Sequence, residues 1–261
     1  MLAALTERWR KKRGLASGIV LALCLLSFAR GVYELGEQSL WWDESLSLHR
    51  ASRPFSFIAT NRILVLYGQE ERPITPDHHP PLYFALLRLV LLAAGKSEFA
   101  LRYLSLASCV LIVPLLYQCG RRLYDRTTGV CAALLAACSP LYLWAQQEAR
   151  PYALATLFAV ISFYALMRTL GDGAAGSPSG SQPTGRKGWI ALYMLSTAAM
   201  LVTHYHTLQL LPAYGAIYVL ARGHHKRRIL WAVLATGIVA GGITLYGLRE
   251  IMPPYQIAEF T

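Results

Sequence analysis

The sequence predicts an all-α, polytopic membrane protein, and composition, hydropathy and the spacing of apolar residues each point to this class. Of the 261 residues, 55% are hydrophobic and 15% are charged, whereas soluble domains carry about 25% charged residues. The mean hydropathy is +0.37. Apolar residues form long blocks, such as 14–29 and 130–144, which are typical of helices that cross a bilayer.

The net charge of +11 does not by itself indicate nucleic-acid binding. In a membrane protein the positions of Lys and Arg set the orientation of the spans, so their distribution matters more than their total. We expect the lipid bilayer as a partner and predict no nucleic-acid partner.

Seven apolar blocks are interpreted as membrane spans. One further stretch, 81–95, is ambiguous because it has only 15 residues and carries Arg88 at its middle. A spanning helix needs roughly 20 residues. The seven blocks lie at about 16–35, 100–119, 129–146, 151–168, 189–205, 207–221 and 229–248.

The charge distribution decides whether 81–95 crosses. If it does not, the loops on the side of the N-terminus hold 15 of the 25 Lys and Arg residues and 3 of the 14 acidic residues. Positively charged loops stay in the cytoplasm. The sequence therefore predicts a multi-pass plasma-membrane protein with a cytoplasmic N-terminus, about seven transmembrane helices and a first extracytoplasmic loop at 36–99.

The domain organisation is simple. We predict a single membrane domain over 1–261, in which the Gly-, Ser- and Pro-rich segment 171–188 is a flexible cytoplasmic linker. The sequence has no phosphate-binding loop, dinucleotide fingerprint, HExxH or CxxC motif. It therefore indicates no nucleotide and no certain cofactor.

Four polar clusters fall at predicted span ends on the outer side. The first contains Asp43 and Glu44, directly after Trp41 and Trp42. Paired tryptophans are typical of interface anchors. Asp43 has two interpretations: it is the N-cap of a short amphipathic helix, or it is a partly desolvated carboxylate that accepts a proton from a hydroxyl group.

The second cluster contains His78 and His79, followed by two prolines that restrict the backbone. One interpretation is a metal site, with Asp77 as a further ligand. The other is that His79 is held in place as a donor to a phosphate. The sequence leaves open whether a divalent metal takes part.

The third cluster contains Glu148, Arg150 and Tyr152, in a very short connection between two predicted spans, and the fourth contains His204 and His206. A short connection keeps ionisable side chains at the mouth of the helix bundle. Because all four clusters lie on one predicted membrane face, we expect them to contribute to one site.

The absence of a nucleotide motif narrows the chemistry of such a site. An outward-facing transferase then needs an activated donor in the outer leaflet, and a sugar linked to a lipid phosphate is one, because its phosphate is already the leaving group. One carboxylate base and cationic or histidine donors to the phosphate are sufficient for transfer.

Five short motifs in order resemble those of family 39-type glycosyltransferases of the GT-C fold. This family includes the dolichyl-phosphate-mannose protein mannosyltransferases and the aminoarabinose transferases that modify lipid A. The resemblance runs from about 15 to 170. Its motifs are Trp42-Asp43-Glu44, His79-Pro80-Pro81-Leu82-Tyr83, Ser97-Glu98-Phe99-Ala100-Leu101-Arg102, Gly120-Arg121-Arg122-Leu123-Tyr124 and Gln147-Glu148-Ala149-Arg150-Pro151-Tyr152-Ala153-Leu154.

The resemblance implies a membrane enzyme that takes a sugar from a polyprenyl phosphate and transfers it, with inversion, to a lipid, glycan or protein hydroxyl. It implies amphipathic jaw helices in the first outer loop. It assigns Asp43 as the proton acceptor, Glu44 to acceptor positioning and His79 to the donor phosphate. The remaining residues expected at the donor phosphate or substrate are His78, Glu148, Arg150, Tyr152, His204 and His206.

Two alternatives stay open. One is a small transporter or lipid flippase, although a transporter places ionisable groups near the midplane of broken helices and here they lie at span ends. The other is an inactive, truncated paralogue, because relatives usually continue for several more spans beyond the length of this chain.

The topology predicts which positions a membrane-impermeant thiol reagent reaches. In a cysteine-free background, Tyr124→Cys should be labelled only after permeabilisation, since residues 120–128 are predicted to be cytoplasmic. Ser56→Cys, in the predicted outer loop, is the positive control and should be labelled in intact cells. Labelling of position 124 from outside would contradict the seven-span topology.

Overall fold

The computed structural model describes residues 2–60, 62–67, 70–76, 79–170 and 186–220. Up to the end of the first outer loop it contains α1 (Leu2–Val32), α2 (Trp42–Ala51), α3 (Phe55–Ile58), β1 (Arg62–Tyr67), β2 (Glu70–Pro76) and α4 (Leu82–Ala94). The following elements are α5 (Glu98–Leu123), α6 (Arg126–Cys138), α7 (Pro140–Gln146), α8 (Tyr152–Leu170), α9 (Arg186–Thr203), a 3₁₀ helix (Tyr205–Gln209) and α10 (Leu210–Leu220).

Three of the described helices are long and apolar enough to cross a membrane: Gly14–Val32 within α1, α5 and α8. A fourth candidate is the pair α6 and α7, which is bent by 56°. These elements coincide with the predicted spans at 16–35, 100–119, 151–168 and 129–146. The predicted polytopic helical architecture is therefore confirmed.

The later part of the chain is described only in part. Helix α9 has 18 residues and α10 has 11, and the predicted span at 229–248 lies outside the described residues. The count of about seven spans therefore stays a prediction. Most of the predicted linker, 171–185, is also outside the described residues, whereas 186–188 belong to α9.

The predicted first outer loop contains short helices and one element that the sequence analysis did not predict. Helix α4 has only 13 residues, too few to cross a bilayer, in agreement with the charge argument. The element that was not predicted lies in the segment before it, where β1 and β2 pair as an antiparallel hairpin. The β1 sequence, Arg-Ile-Leu-Val-Leu-Tyr, is rich in residues that favour strands.

Helix α5 lies at the centre of the described helices and contacts α1, α4, α6, α7 and α8. It begins after Ser97, whose hydroxyl accepts a hydrogen bond from the Ala100 N–H at 3.1 Å. Buried apolar side chains from α4, α5 and α8, among them Leu87, Leu101 and Leu154, form one core. This core holds the N-terminal ends of the three helices together.

The break between α6 and α7 falls at Ser139 and Pro140. Proline is tolerated at the first position of a helix because no intrahelical bond is lost there, and Ser139 caps α7 by accepting the Tyr142 N–H at 3.4 Å. The bend ends the span early and leads the chain into the connection 147–151.

Helix α7 is fixed against α1 at its last residue. The Gln146 side chain donates a hydrogen bond to the Ser27 hydroxyl at 2.8 Å. A Cβ atom at Gly31 would overlap the Gln146 side chain and lie 2.5 Å from a Leu106 methyl group. Glycine at this position therefore permits the close approach of the helices.

Candidate functional site

The structure brings the described members of the four predicted clusters together. They are the start of α2, the segment that precedes α4, the connection 147–151 and the residues that follow α9. Side-chain contacts join Asp43 to Arg150, Arg150 to His79, and His79 to His204. His78 lies outside the described residues.

A buried ion pair lies beneath the site. Glu44 is fully buried, and Arg102 of α5 donates to both of its carboxylate oxygens, from Nε at 2.9 Å and from Nη2 at 2.7 Å. The Ala149 N–H donates to the same carboxylate at 2.9 Å. Arg102 also donates to the backbone carbonyls of Leu35, Gln38 and Ser39.

This arrangement shows how Glu44 is held in place. Its carboxylate has fixed partners from α5 and from the connection 147–151, and its side chain is 1% exposed. Glu44 therefore joins these segments, and the role in acceptor positioning expected for it stays a prediction. The sequence analysis included Arg102 in a motif but assigned it no role.

Asp43 occupies the first turn of α2 and not its cap. The N-cap is Trp41, and no side chain caps this end, so the N-cap interpretation of Asp43 is wrong. The Asp43 side chain is 33% exposed, and its Oδ2 atom lies 3.5 Å from Arg150 Nη2. A carboxylate in the first turn is favoured by the helix dipole, and here it also remains accessible.

Arg150 links Asp43 to His79. Its Nη1 donates to the Asp43 backbone carbonyl at 3.4 Å, and its Nη2 lies 3.2 Å from His79 Nε2. Because a guanidinium only donates, His79 Nε2 is the acceptor. The Arg150 Nε atom is buried without a hydrogen-bond partner among the described residues. The guanidinium thus has donor capacity that these contacts do not use.

A second buried arginine, which the sequence analysis missed, positions His79. Arg50 of α2 donates to the His79 backbone carbonyl at 2.9 Å and to the Ile58 carbonyl at 2.7 Å. Its guanidinium lies 4.1 Å from the centre of the Phe84 ring. The signal in the sequence was its spacing, since Glu44, Ser47 and Arg50 share the buried face of α2.

His204 continues the site towards α8. Its ring centre lies 5.4 Å from that of His79 and 5.4 Å from that of Tyr152. Its Nδ1 atom accepts the His206 N–H at 3.2 Å, so the proton of the neutral ring is on Nε2. Burial, with the nearby charges of His79, His206 and Arg150, lowers the pKa of His204 to about 4. The ring is therefore neutral at pH 7.

Glu148 is held in a partly buried position beside the ion pair. Burial raises the pKa of its carboxyl group to about 7, the Glu44 charge adds to this shift, and the Arg150 charge opposes it. Its Oε2 atom is buried without a hydrogen-bond partner among the described residues. At neutral pH the carboxyl group therefore populates both a donor and an acceptor form.

Two cavities adjoin these residues. The groove, as we name the first, has a volume of about 370 Å³ and is lined by Tyr152, Ala155, Thr156, Ala159, His204, His206, Thr207, Gln209 and Leu210. The second, the tryptophan cavity, has a volume of about 300 Å³ and is lined by Gln38, Ser39, Trp41, Glu44, Arg102, Trp144, Gln147 and Glu148.

Asp43 and Arg150 line neither cavity, but each is next to a residue that does. The Arg150 guanidinium is 5.9 Å from the ring centre of Tyr152, which lines the groove. Asp43 precedes Glu44, which lines the tryptophan cavity. Among the described residues, no group of three or more His, Cys, Asp or Glu side chains could hold a metal ion.

Residues 78–246 match the family described as dolichyl-phosphate-mannose-protein mannosyltransferase. The chain belongs to this family. The matched region contains His79, Arg150 and His204 but begins after Asp43 and Glu44. Comparison with curated protein sequences finds no match.

The fold is also found in a solved structure, the oligosaccharyltransferase of Archaeoglobus fulgidus, crystallised with a disulfide-tethered acceptor peptide that contains the NVT sequon. The TM-score is 0.59 at 11% sequence identity, and the match covers 90% of this chain. This chain spans 35% of that protein's length. The likeness shows a shared fold, and with the family match it confirms the predicted GT-C class.

The buried ion pair makes Arg102 a sensitive position. Arg102→Ala leaves the Glu44 carboxylate buried and unpaired, and we expect a loss of about 3–5 kcal/mol in the free energy of unfolding. Arg121→Ala, at an exposed position near the other end of α5, is the control and should change it by less than about 0.5 kcal/mol. Denaturation of the two purified variants measures the difference, and equal stability would contradict this account.

Proposed function

We propose that the protein is an inverting glycosyltransferase of the plasma membrane, which moves a sugar from a polyprenyl phosphate to a hydroxyl acceptor on the outer membrane face. The observation that carries the proposal is the Asp43, Arg150 and His79 cluster, in which an accessible carboxylate lies beside two groups suited to bind phosphate. Family membership favours this function over the transporter alternative. The acceptor class is a lipid, glycan or protein.

The groove suits the lipid part of such a donor. Tyr152, Ala155, Thr156 and Ala159 follow the helical spacing that places them on one face of α8. Small side chains on that face leave room for a polyprenyl chain. Because α8 is a candidate span, the chain would run from the bilayer towards the histidines at the polar end of the groove.

The phosphate would then meet Arg150 and His79. The contact between Arg150 and Asp43 is long, at 3.5 Å, so the guanidinium can turn towards a phosphate without breaking a tight ion pair. Charge-assisted contacts of this kind stabilise the negative charge that develops on the leaving phosphate. His204, His206 and Tyr152 would line the same end of the donor site.

The transfer itself would be a single displacement. The acceptor oxygen bonds to the anomeric carbon as the bond from that carbon to the phosphate oxygen breaks, which inverts the configuration. The hydroxyl proton passes to the Asp43 carboxylate, and the electron pair of the broken bond leaves with the polyprenyl phosphate. A hydroxyl group is a poor nucleophile without such a base.

The orientation follows from charge. The loops predicted to lie beside the N-terminus hold 15 of the 25 basic residues, which favours a cytoplasmic N-terminus and an extracytoplasmic site.

Asp43→Asn tests the chemical step. Asn keeps the size of the side chain but has no basic oxygen, so turnover should fall by at least about a hundredfold. Asp125→Asn is the control, because Asp125 caps α6 and Asn caps about as well as Asp. The assay scores transfer from a panel of radiolabelled polyprenyl-phosphate sugars in membranes. If wild type transfers sugar and Asp43→Asn is equally active, Asp43 is not the base; if wild type transfers none, the proposed function fails.

Binding of the donor tests the phosphate contacts separately. Each charge-assisted contact contributes about 1.5–3 kcal/mol, so His79→Ala and Arg150→Ala should each raise the Kd for polyprenyl phosphate roughly 10–150-fold. Asp43→Asn should leave this Kd little changed. A His79→Ala, Arg150→Ala double variant that binds the lipid as tightly as wild type would refute the assignment.

A further inference from the structure

The lining of the tryptophan cavity differs in chemistry from that of the groove. Trp41 and Trp144 are 48% and 49% exposed, and both border the cavity beside two carboxamides, Gln38 and Gln147. The unpartnered carboxyl oxygen belongs to Glu148, a further lining residue. The cavity thus combines aromatic surface with groups that both donate and accept hydrogen bonds.

The charges of this lining are already compensated. Among the described lining residues Arg102 carries the only positive charge, and it is engaged by Glu44 and by three backbone carbonyls. No cation is left to meet a phosphate or carboxylate. The carboxylate of Glu44 is paired with Arg102, and the raised pKa of Glu148 reduces its negative charge at neutral pH. A neutral, polar ligand fits this balance.

The two lining tryptophans are distinct from an ordinary interface anchor. Trp42, between Asp43 and Trp41 in the chain, is 71% exposed and does not border the cavity. Trp144, in contrast, stacks on Tyr152 with 6.0 Å between ring centres, which holds its indole in place. A fixed indole face with polar neighbours suits ligands that have one apolar and one polar side.

We propose that the tryptophan cavity is the acceptor subsite and binds a neutral sugar ring, so that the acceptor hydroxyl belongs to a saccharide. The CH face of the ring would lie against the indoles, and its hydroxyls would meet Gln38, Gln147 and Glu148. A volume of about 300 Å³ is at the lower end for small-molecule sites and suits one ring. This inference rests on the proposed function, in which the groove holds the donor and Asp43 accepts the hydroxyl proton.

Binding to the full-length protein in lipid nanodiscs tests the inference without requiring turnover. The probes are methyl glycosides of glucose, galactose and mannose at millimolar concentration, observed by saturation-transfer NMR. We expect transfer to the ring CH protons of at least one glycoside in wild type. The signal should fall at least fivefold in Trp41→Ala and in Trp144→Ala, and it should persist in Trp42→Ala, the matched control.

A second pair of variants, with less disruptive substitutions, controls for loss of the fold. Gln38 is exposed, and only its backbone carbonyl contacts Arg102, so Gln38→Leu should keep the fold while it weakens glycoside binding. Glu37→Leu, at the neighbouring exposed position, should not weaken it. Circular dichroism checks that all variants are folded.

The outcomes separate the inference from the proposed function. No glycoside signal in wild type, or a signal that folded Trp144→Ala and Gln38→Leu both retain, overturns the sugar-ring subsite. Binding of a serine- and threonine-containing peptide with the same tryptophan dependence overturns it in favour of a protein acceptor. Wild type that binds glycosides but not polyprenyl phosphate overturns the proposed donor and leaves the subsite standing.

Discussion

The bidentate contact between Glu44 and Arg102 fixes the geometry on which the rest of the site depends. Removing two charges from water costs several kcal/mol per ion, and here the Ala149 N–H and three backbone carbonyls supply further hydrogen bonds. The partners come from α2, α5, the segment after α1 and the connection 147–151. One ion pair therefore fixes α2 and the connection 147–151 against α5.

The three arginines at the site differ in how tightly their guanidinium groups are held. Arg50 and Arg102 are buried and donate to backbone carbonyls, four of these bonds at 2.7–3.0 Å and the fifth, from Arg102 to Ser39, at 3.4 Å, so both hold chain segments in place. Arg150 makes longer contacts of 3.2–3.5 Å and has an unused buried Nε. His204 is neutral. Arg150 and Asp43 are therefore the charged pair whose long contact leaves the side chains free to reorient.

The features that the sequence predicted correctly are those set by local pattern. Hydropathy located the helices that are long and apolar enough to span a membrane, and the motifs pointed to the family that the comparison confirms. The same motifs named Asp43, His79 and Arg150, which lie in contact in the structure, while their roles and the position of 81–95 outside the membrane stay predictions. What the sequence could not predict depends on contacts between distant residues. Glu44 is buried by Arg102 and Ala149, which are 58 and 105 positions away, and nothing in its neighbours along the chain indicates this.

The hairpin and the cap of α2 were missed for local reasons. Apolar residues in β1 do not alternate clearly with polar ones, so periodicity gave no strand signal. Asp43 precedes an amphipathic stretch, where an N-cap is expected, yet the helix begins two residues earlier than such a cap requires and has Trp41 at the cap. Caps depend on the helix boundary, which is the least certain feature of a sequence pattern.

The separation of Glu44 from Arg102 has a consequence for biosynthesis. At about 5–20 residues per second, the 58 positions between them take the ribosome roughly 3–12 s to translate. Until α5 has been synthesised, Arg102 is not available to pair with Glu44. The Glu44 carboxylate must therefore stay hydrated until then. The segment that carries α2 therefore packs onto the helices only after α5 is in place, so the order in which the helices are inserted sets the order in which the site assembles.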